Sequence, residues 1–75
     1  MNKLYDLLSL LQKHFVQANI DVFIDVRLGR DALIFRFRIR DEVINVMVTL
    51  AVLDGWDVTQ LKKYILHYFE AARGG

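Results

Sequence analysis

Between Ile20 and Leu50 the chain alternates apolar and polar positions with a period of two, the spacing that places every second side chain on one face of a strand. Ile20, Val22, Ile24 and Val26 alternate with Asp21, Phe23, Asp25 and Arg27. Leu33, Phe35, Phe37 and Ile39 alternate with Ile34, Arg36, Arg38 and Arg40. The intervening Leu28-Gly29-Arg30-Asp31 predicts a tight hairpin in which glycine takes a positive φ. The inward set is even-numbered in the first strand and odd-numbered in the second, so only a turn with an even number of residues brings both sets to one face. A Gly29-Arg30 turn does this, pairing Arg27 with Ala32, Val26 with Leu33, Ile24 with Phe35 and Val22 with Phe37. A one-residue slip would turn all these apolar side chains to water.

A third strand is predicted from Val43 to Leu50. Val43, Met47, Leu50 and Leu53 also fit a helical spacing, but Val43, Ile44, Val46, Val48 and Thr49 are β-branched and favour a strand. A turn at Asp41-Glu42 pairs Ile39 with Ile44, Phe37 with Val46, Phe35 with Val48 and Leu33 with Leu50. The meander then has one wholly apolar face. Its other face carries Asp21, Phe23, Asp25, Arg27, Ile34, Arg36, Arg38, Arg40, Val43, Asn45, Met47 and Thr49. In this register Asp21 lies opposite Arg38 as an ion pair, and Arg36 lies over the ring of Phe23.

The pattern changes to a helical period on either side. Before the meander, Leu4, Leu7, Leu8, Leu11 and Phe15 form one apolar stripe, with Asn2 as N-cap and Asn19 as a left-handed stop. After it, Ala51 to Leu53 extend the third strand or fold over the sheet edge, and Asp54-Gly55 is a turn signal. Asp57 and Gln60 then form a capping-box pair, and Trp56 is placed to staple onto Leu61. Val58, Leu61, Ile65, Phe69 and Ala72 make the inner stripe of the last helix, flanked by Tyr64 and Tyr68. Gln60, Lys63, His67 and Glu70 line its solvated side, and Gly74 ends it. Two helices and one apolar sheet face imply a two-layer α+β fold of order α-β-β-β-α, a three-stranded antiparallel meander with both helices packed on one face.

The length of 75 residues fits one domain, spanning 1–75. A chain so short buries only about 60–65% of its unfolded surface. Its apolar share of 55% exceeds the roughly 45–50% of an ordinary domain, an excess that small domains often bury against a partner, including a copy of themselves. With no cysteine in the sequence, disulfides and thiolate metal sites are excluded. The net charge of +1 argues against a polyelectrolyte binder. The basic residues are nonetheless clustered, four of ten lying between Arg30 and Arg40. No apolar run approaches the ~18 residues of a membrane span and there is no signal-peptide pattern, so a cytoplasmic location is expected.

Chemistry-bearing motifs are missing. Gly29 and Gly55 stand alone, without a phosphate loop or dinucleotide fingerprint. Ser9 has no base near it in sequence. His14 and His67 fall on different helices without ligand spacing, so no metal and no cofactor are expected. Asp21 and Asp25 share a face but oppose arginines on a flat sheet rather than in a cleft. A non-enzymatic chain is the expectation.

The element order resembles that of the double-stranded-RNA-binding domain, and Lys62-Lys63 stands near the start of the second helix, where that family carries a basic run. The loop Leu28-Gly29-Arg30-Asp31 has neither the proline nor the histidine of the family's loop, and Asp57 puts a negative charge where a phosphate would dock. The resemblance is one of topology, and fold alone does not imply function.

What remains is the open sheet face. Phe23, Ile34, Arg36, Arg38, Arg40, Val43, Asn45 and Met47 are the candidate partner-binding residues, because aromatic, Met and Arg side chains ringed by carboxylates are usual at interfaces. The expectation is a small interaction module, an accessory, regulatory or inhibitory factor of the kind mobile elements or phages encode. It would use the open face or a free strand edge and self-associate as a homodimer or bind another protein. The alternative is nucleic-acid binding, with Arg27, Arg30, Arg36, Arg38 and Arg40 on phosphates and Phe23 stacking a base. Asp21, Asp25, Asp41 and Glu42 offset much of that field.

Overall fold

The computed structural model describes residues 2–74; Met1 and Gly75 lie outside the described residues. The chain runs α1 (Lys3–Gln17), β1 (Phe23–Leu28), β2 (Ala32–Ile39), β3 (Glu42–Thr49), α2 (Leu50–Gly55) and α3 (Val58–Gly74). The strands form one open antiparallel sheet in the order β1-β2-β3, and α1 and α3 cover a single face of it. The fold is therefore the expected mixed α+β arrangement, with one short helix added.

Each boundary has a local cause. The Asn2 side chain accepts from the backbone N–H groups of Leu4 at 3.0 Å and Tyr5 at 3.2 Å, satisfying donors that the first turn of α1 leaves unpaired. At the other end Asn19 has φ 59° and Ile20 N–H donates to Phe15 O at 2.9 Å, a left-handed stop closed by a six-to-one bond. For α3, Gln60 N–H donates to Asp57 Oδ1 at 2.8 Å and Asp57 N–H donates to Gln60 Oε1 at 3.1 Å. This is the reciprocal box read from the sequence.

The core lies between the helices and the inner sheet face. Leu7, Leu11 and Phe15 of α1 meet Leu61, Ile65 and Phe69 of α3 over Leu33, Phe35, Phe37, Ile39, Ile44, Val46 and Val48, and all thirteen are buried. Phe15, Phe37 and Phe69 form a closed triangle, with ring centroids 5.7 Å apart for Phe15–Phe37 and 5.1 Å apart for the other two pairs. Such tilted and edge-on contacts add about 0.5–1.5 kcal/mol each beyond area burial. The triangle joins α1, β2 and α3 at one point.

The registers differ from the expected ones by two residues at both hairpins. Val26 pairs with Phe35, Ile24 with Phe37 and Leu28 with Leu33, where the sequence reading paired Val26 with Leu33 and Ile24 with Phe35. Phe37 pairs with Ile44, Phe35 with Val46 and Leu33 with Val48, where Val46, Val48 and Leu50 were expected. Parity explains the difference. A slip of two keeps every inward side chain inward, so the apolar pattern does not penalise it. Outward pairs and turns decide instead. The expected register left Asp25 opposite Ile34, whereas the observed one sets it opposite Arg36.

The turns follow. The β2–β3 turn is Arg40-Asp41 rather than Asp41-Glu42, and Arg40 itself takes φ 58°. Gly29 has no positive φ. Its role is closeness, because its N–H donates to Ala32 O at 2.7 Å and a Cβ there would stand only 3.1 Å from the same oxygen. β1 begins at Phe23 rather than Ile20.

Beyond β3 the chain neither extends the strand nor simply turns. Thr49 Oγ1 accepts from Val52 N–H at 3.3 Å and starts α2. Leu50 N–H still donates to Asp31 O at 2.9 Å, so the ladder runs into the first residue of that helix. Lys3 Nζ reaches Asp54 O at 3.3 Å, tying the start of α1 to the end of α2.

Candidate functional site

The outward side chains of the meander form three rows across the sheet. Phe23, Arg38 and Val43 make the first, Asp25, Arg36 and Asn45 the second, and Arg27, Ile34 and Met47 the third. The expected face is thus present, and no helix among the described residues covers it. Phe23 and Met47 are each 61% exposed and Val43 50%, which leaves apolar side chains at three of the four corners. Seven of the eight candidate residues belong to these rows. Arg40 lies apart, in the hairpin turn at one end.

The polar groups are arranged differently from the sequence reading. Arg36 at the centre gives Nη2 to Asp25 Oδ2 at 3.1 Å, and both side chains are about one-third exposed. Asp21 is not the partner of Arg38, and Phe23 is not the partner of Arg36; both expectations move with the register. Arg38 instead holds its guanidinium 5.2 Å from the centroid of the Phe23 ring, within the range of a cation–π contact. Arg36 Nε is buried without a hydrogen-bond partner, which leaves the central guanidinium incompletely satisfied. Arg27, Arg36 and Arg38 against Asp25 give the nine-residue grid a formal charge of +2. Arg36 is the only arginine between Arg27 and Arg40 with a carboxylate partner among the described residues.

The two free edges are unlike. β1 is six residues long and carries Asp25 and Arg27. β3 is eight residues long, and its single charge is Glu42 at the first position. Glu42 faces Arg73 of α3 at 3.8 Å.

A second exposed cluster was only half legible in the sequence. The Trp56 ring packs edge-on to Tyr64 at 5.3 Å, Tyr64 leans on Tyr68 at 4.9 Å, and His67 meets Tyr68 at 5.1 Å. The aromatic partner of the Trp56 ring is Tyr64, two turns into α3. The four-residue spacing of Tyr64 and Tyr68, which also marks a flank of the core stripe, is the sequence signal for this cluster. His14 rests edge-on against Phe15 at 5.4 Å. Among the described residues no group of three or more His, Asp or Glu side chains is placed to hold a metal ion, and no helix is long and apolar enough to cross a membrane.

The face presents apolar side chains at three corners and guanidinium donors at Arg36 and Arg38, with the Asp25 carboxylate holding Arg36. Comparison with known proteins finds no matching family model, no matching curated protein and no matching solved structure.

Proposed function

We propose that the chain is a non-enzymatic, cytoplasmic interaction module, an accessory or inhibitory factor whose open sheet face receives a protein surface with an apolar centre and an acidic rim. The observation that carries this reading is the pairing of exposed Phe23, Val43 and Met47 with a net positive grid. Exposed apolar side chains on one flat face are the usual mark of a binding surface. The excess of arginine over carboxylate selects an acidic partner by charge complementarity. Arg36 has donors beyond the one used by Asp25, and a partner carboxylate meeting them would form a charge-assisted bond.

The test is site-specific photo-crosslinking in cells, with the reactive group at Phe23 or Ile34 and a control at Lys63 on the outer side of α3. Discrete protein adducts from the two face positions and none from the control are expected, and a second substitution Arg36→Ala should reduce them. Adducts that are equal from all three positions would overturn the reading.

A second reading has its own support. Arg27, Arg30, Arg38 and Arg40 have no carboxylate partner among the described residues, and Arg38 with Phe23 makes a stacking platform. Single-stranded nucleic acid is the ligand such a surface would take. Fluorescence anisotropy against a single-stranded oligonucleotide decides it. Binding in the micromolar range that falls steeply with salt is the expected signature of phosphate neutralisation.

A further inference from the structure

We propose that two copies of this chain pair through their free β3 edges, antiparallel about a two-fold axis at Asn45, to form one six-stranded sheet. The inference concerns the edge and stands apart from the reading of the open face.

The hydrogen-bond phase of β3 is fixed by its neighbours. Leu50 N–H donates to Asp31 O, and those residues continue the β2–β3 register in which Ile39 pairs with Glu42 and Leu33 with Val48. In an antiparallel ladder, hydrogen-bonded pairs alternate with non-hydrogen-bonded ones. Glu42, Ile44, Val46 and Val48 therefore turn their backbone groups toward β2. Val43, Asn45, Met47 and Thr49 turn theirs outward, to an edge that no strand among the described residues covers.

Natural edges are blunted by charge, proline, bulges or shortness. β3 has none of these between Val43 and Thr49. It is eight residues long, free of charge after Glu42 and free of proline, and its register against β2 runs one-to-one without a bulge.

The edge is also complementary to itself. A two-fold axis at Asn45 sets Val43 opposite Met47 of the second copy on the outer face and Asn45 opposite Asn45. On the inner face it sets Ile44 opposite Val46. From Val43 to Met47 apolar meets apolar and amide meets amide, and no like charges oppose one another. Val43, Asn45 and Met47 then exchange N–H···O bonds with Met47, Asn45 and Val43, which satisfies the exposed row apart from Thr49. Pairing stops at two copies. The sheet would then end on both sides in β1, which is shorter and carries Asp25 and Arg27, so the contact closes as a dimer rather than propagating.

The test combines mass and register. Sedimentation across the micromolar range should show a concentration-dependent species near twice the 8.8 kDa of one chain. Asn45→Lys places two like charges on the axis at an exposed position. It should weaken association at least tenfold while circular dichroism stays that of the parent and melting matches that of the parent at concentrations where the parent is dissociated. Phe23→Lys, on the far strand, should leave the dimer intact. The chain has no cysteine, so single-cysteine variants report the register. Asn45→Cys should cross-link to its own copy under mild oxidation, and Met47→Cys should not. A parent that sediments as a monomer throughout overturns the inference, as does an Asn45→Lys variant that dimerises like the parent. So does cross-linking by Phe23→Cys in place of Asn45→Cys, which would move the contact to the face.

Discussion

Removing the Asp25 carboxylate tests the sheet register and the site together. Asp25 and Arg36 are about one-third exposed and share one 3.1 Å bond. Fully exposed ion pairs are worth about 0.2–1 kcal/mol, and shielded bonds to charged groups about 1.5–3 kcal/mol. A pair at this depth falls between, so Asp25→Ala should cost about 1–1.5 kcal/mol. In a domain this small that lowers Tm by roughly 4–10 °C. Asp21→Ala, outside the strand and without a cross-strand partner, should stay within about 0.5 kcal/mol of the parent. The sharper measurement is the double-mutant cycle from urea midpoints. Asp25 and Arg36 should couple by about 1 kcal/mol, and Asp21 and Arg38 should not couple at all. The reverse result, coupling of Asp21 with Arg38 alone, would mean that β1 is shifted by two residues and that the three rows of the face are wrongly composed.

Other changes probe separate supports. Arg40→Gly should raise stability by about 0.5–1 kcal/mol in thermal melts, because relief of the left-handed strain at φ 58° outweighs the added freedom of the unfolded chain; a loss of stability would contradict the turn geometry. Asp57→Ala should cost about 1 kcal/mol in a urea titration, through loss of the bond to Gln60 N–H. Trp56→Ala should cost about 1–2 kcal/mol, below the roughly 3–5 kcal/mol of a fully buried ring, because the side chain is 38% exposed and its ring contact is with Tyr64. Phe37→Ala should be the most destabilising of these changes, with the largest fall in urea midpoint. It removes about 3–5 kcal/mol from the ~4–11 kcal/mol expected of 75 residues.

Strand existence, inward and outward sets, helix stripes and caps were all legible, because each is written in a local period or a short spacing. Asn2, Asn19 and the Asp57–Gln60 box act within three or four residues of themselves, and the structure uses each as read. Register was less legible. A period-two pattern fixes it modulo two, and the remainder depended on Arg40 accepting a backbone conformation that propensity assigns to Gly or Asn. The helix α2 was hidden for a related reason. Val52 and Leu53 read equally as strand or helix in so short a run, and the deciding signal was Thr49, a β-branched strand residue that also caps. For the candidate face, membership was visible but adjacency was not. Phe23, Arg36 and Arg38 share the face that the period predicts, but Phe23 lies opposite Arg38 rather than Arg36, since the rows of a sheet follow from register rather than composition.

The edge and the face also bear on each other. In the edge-paired dimer the columns run β1-β2-β3 and then β3-β2-β1 of the second copy. Val43 and Met47 of both copies would then lie at the centre of one continuous outer surface. The arginine columns of β2 would flank that strip, with Phe23 at the two outer margins. A partner with an apolar ridge and acidic shoulders would span both copies, and so would bind the dimer more tightly than the monomer. Linkage then requires that the partner tighten self-association by the same factor. Asn45→Lys should weaken partner binding although Asn45 sits between the apolar corners, and the loss should shrink as protein concentration rises and restores the dimer. A loss that is independent of concentration would instead mark Asn45 as a direct contact within a single copy. It would leave the face working alone.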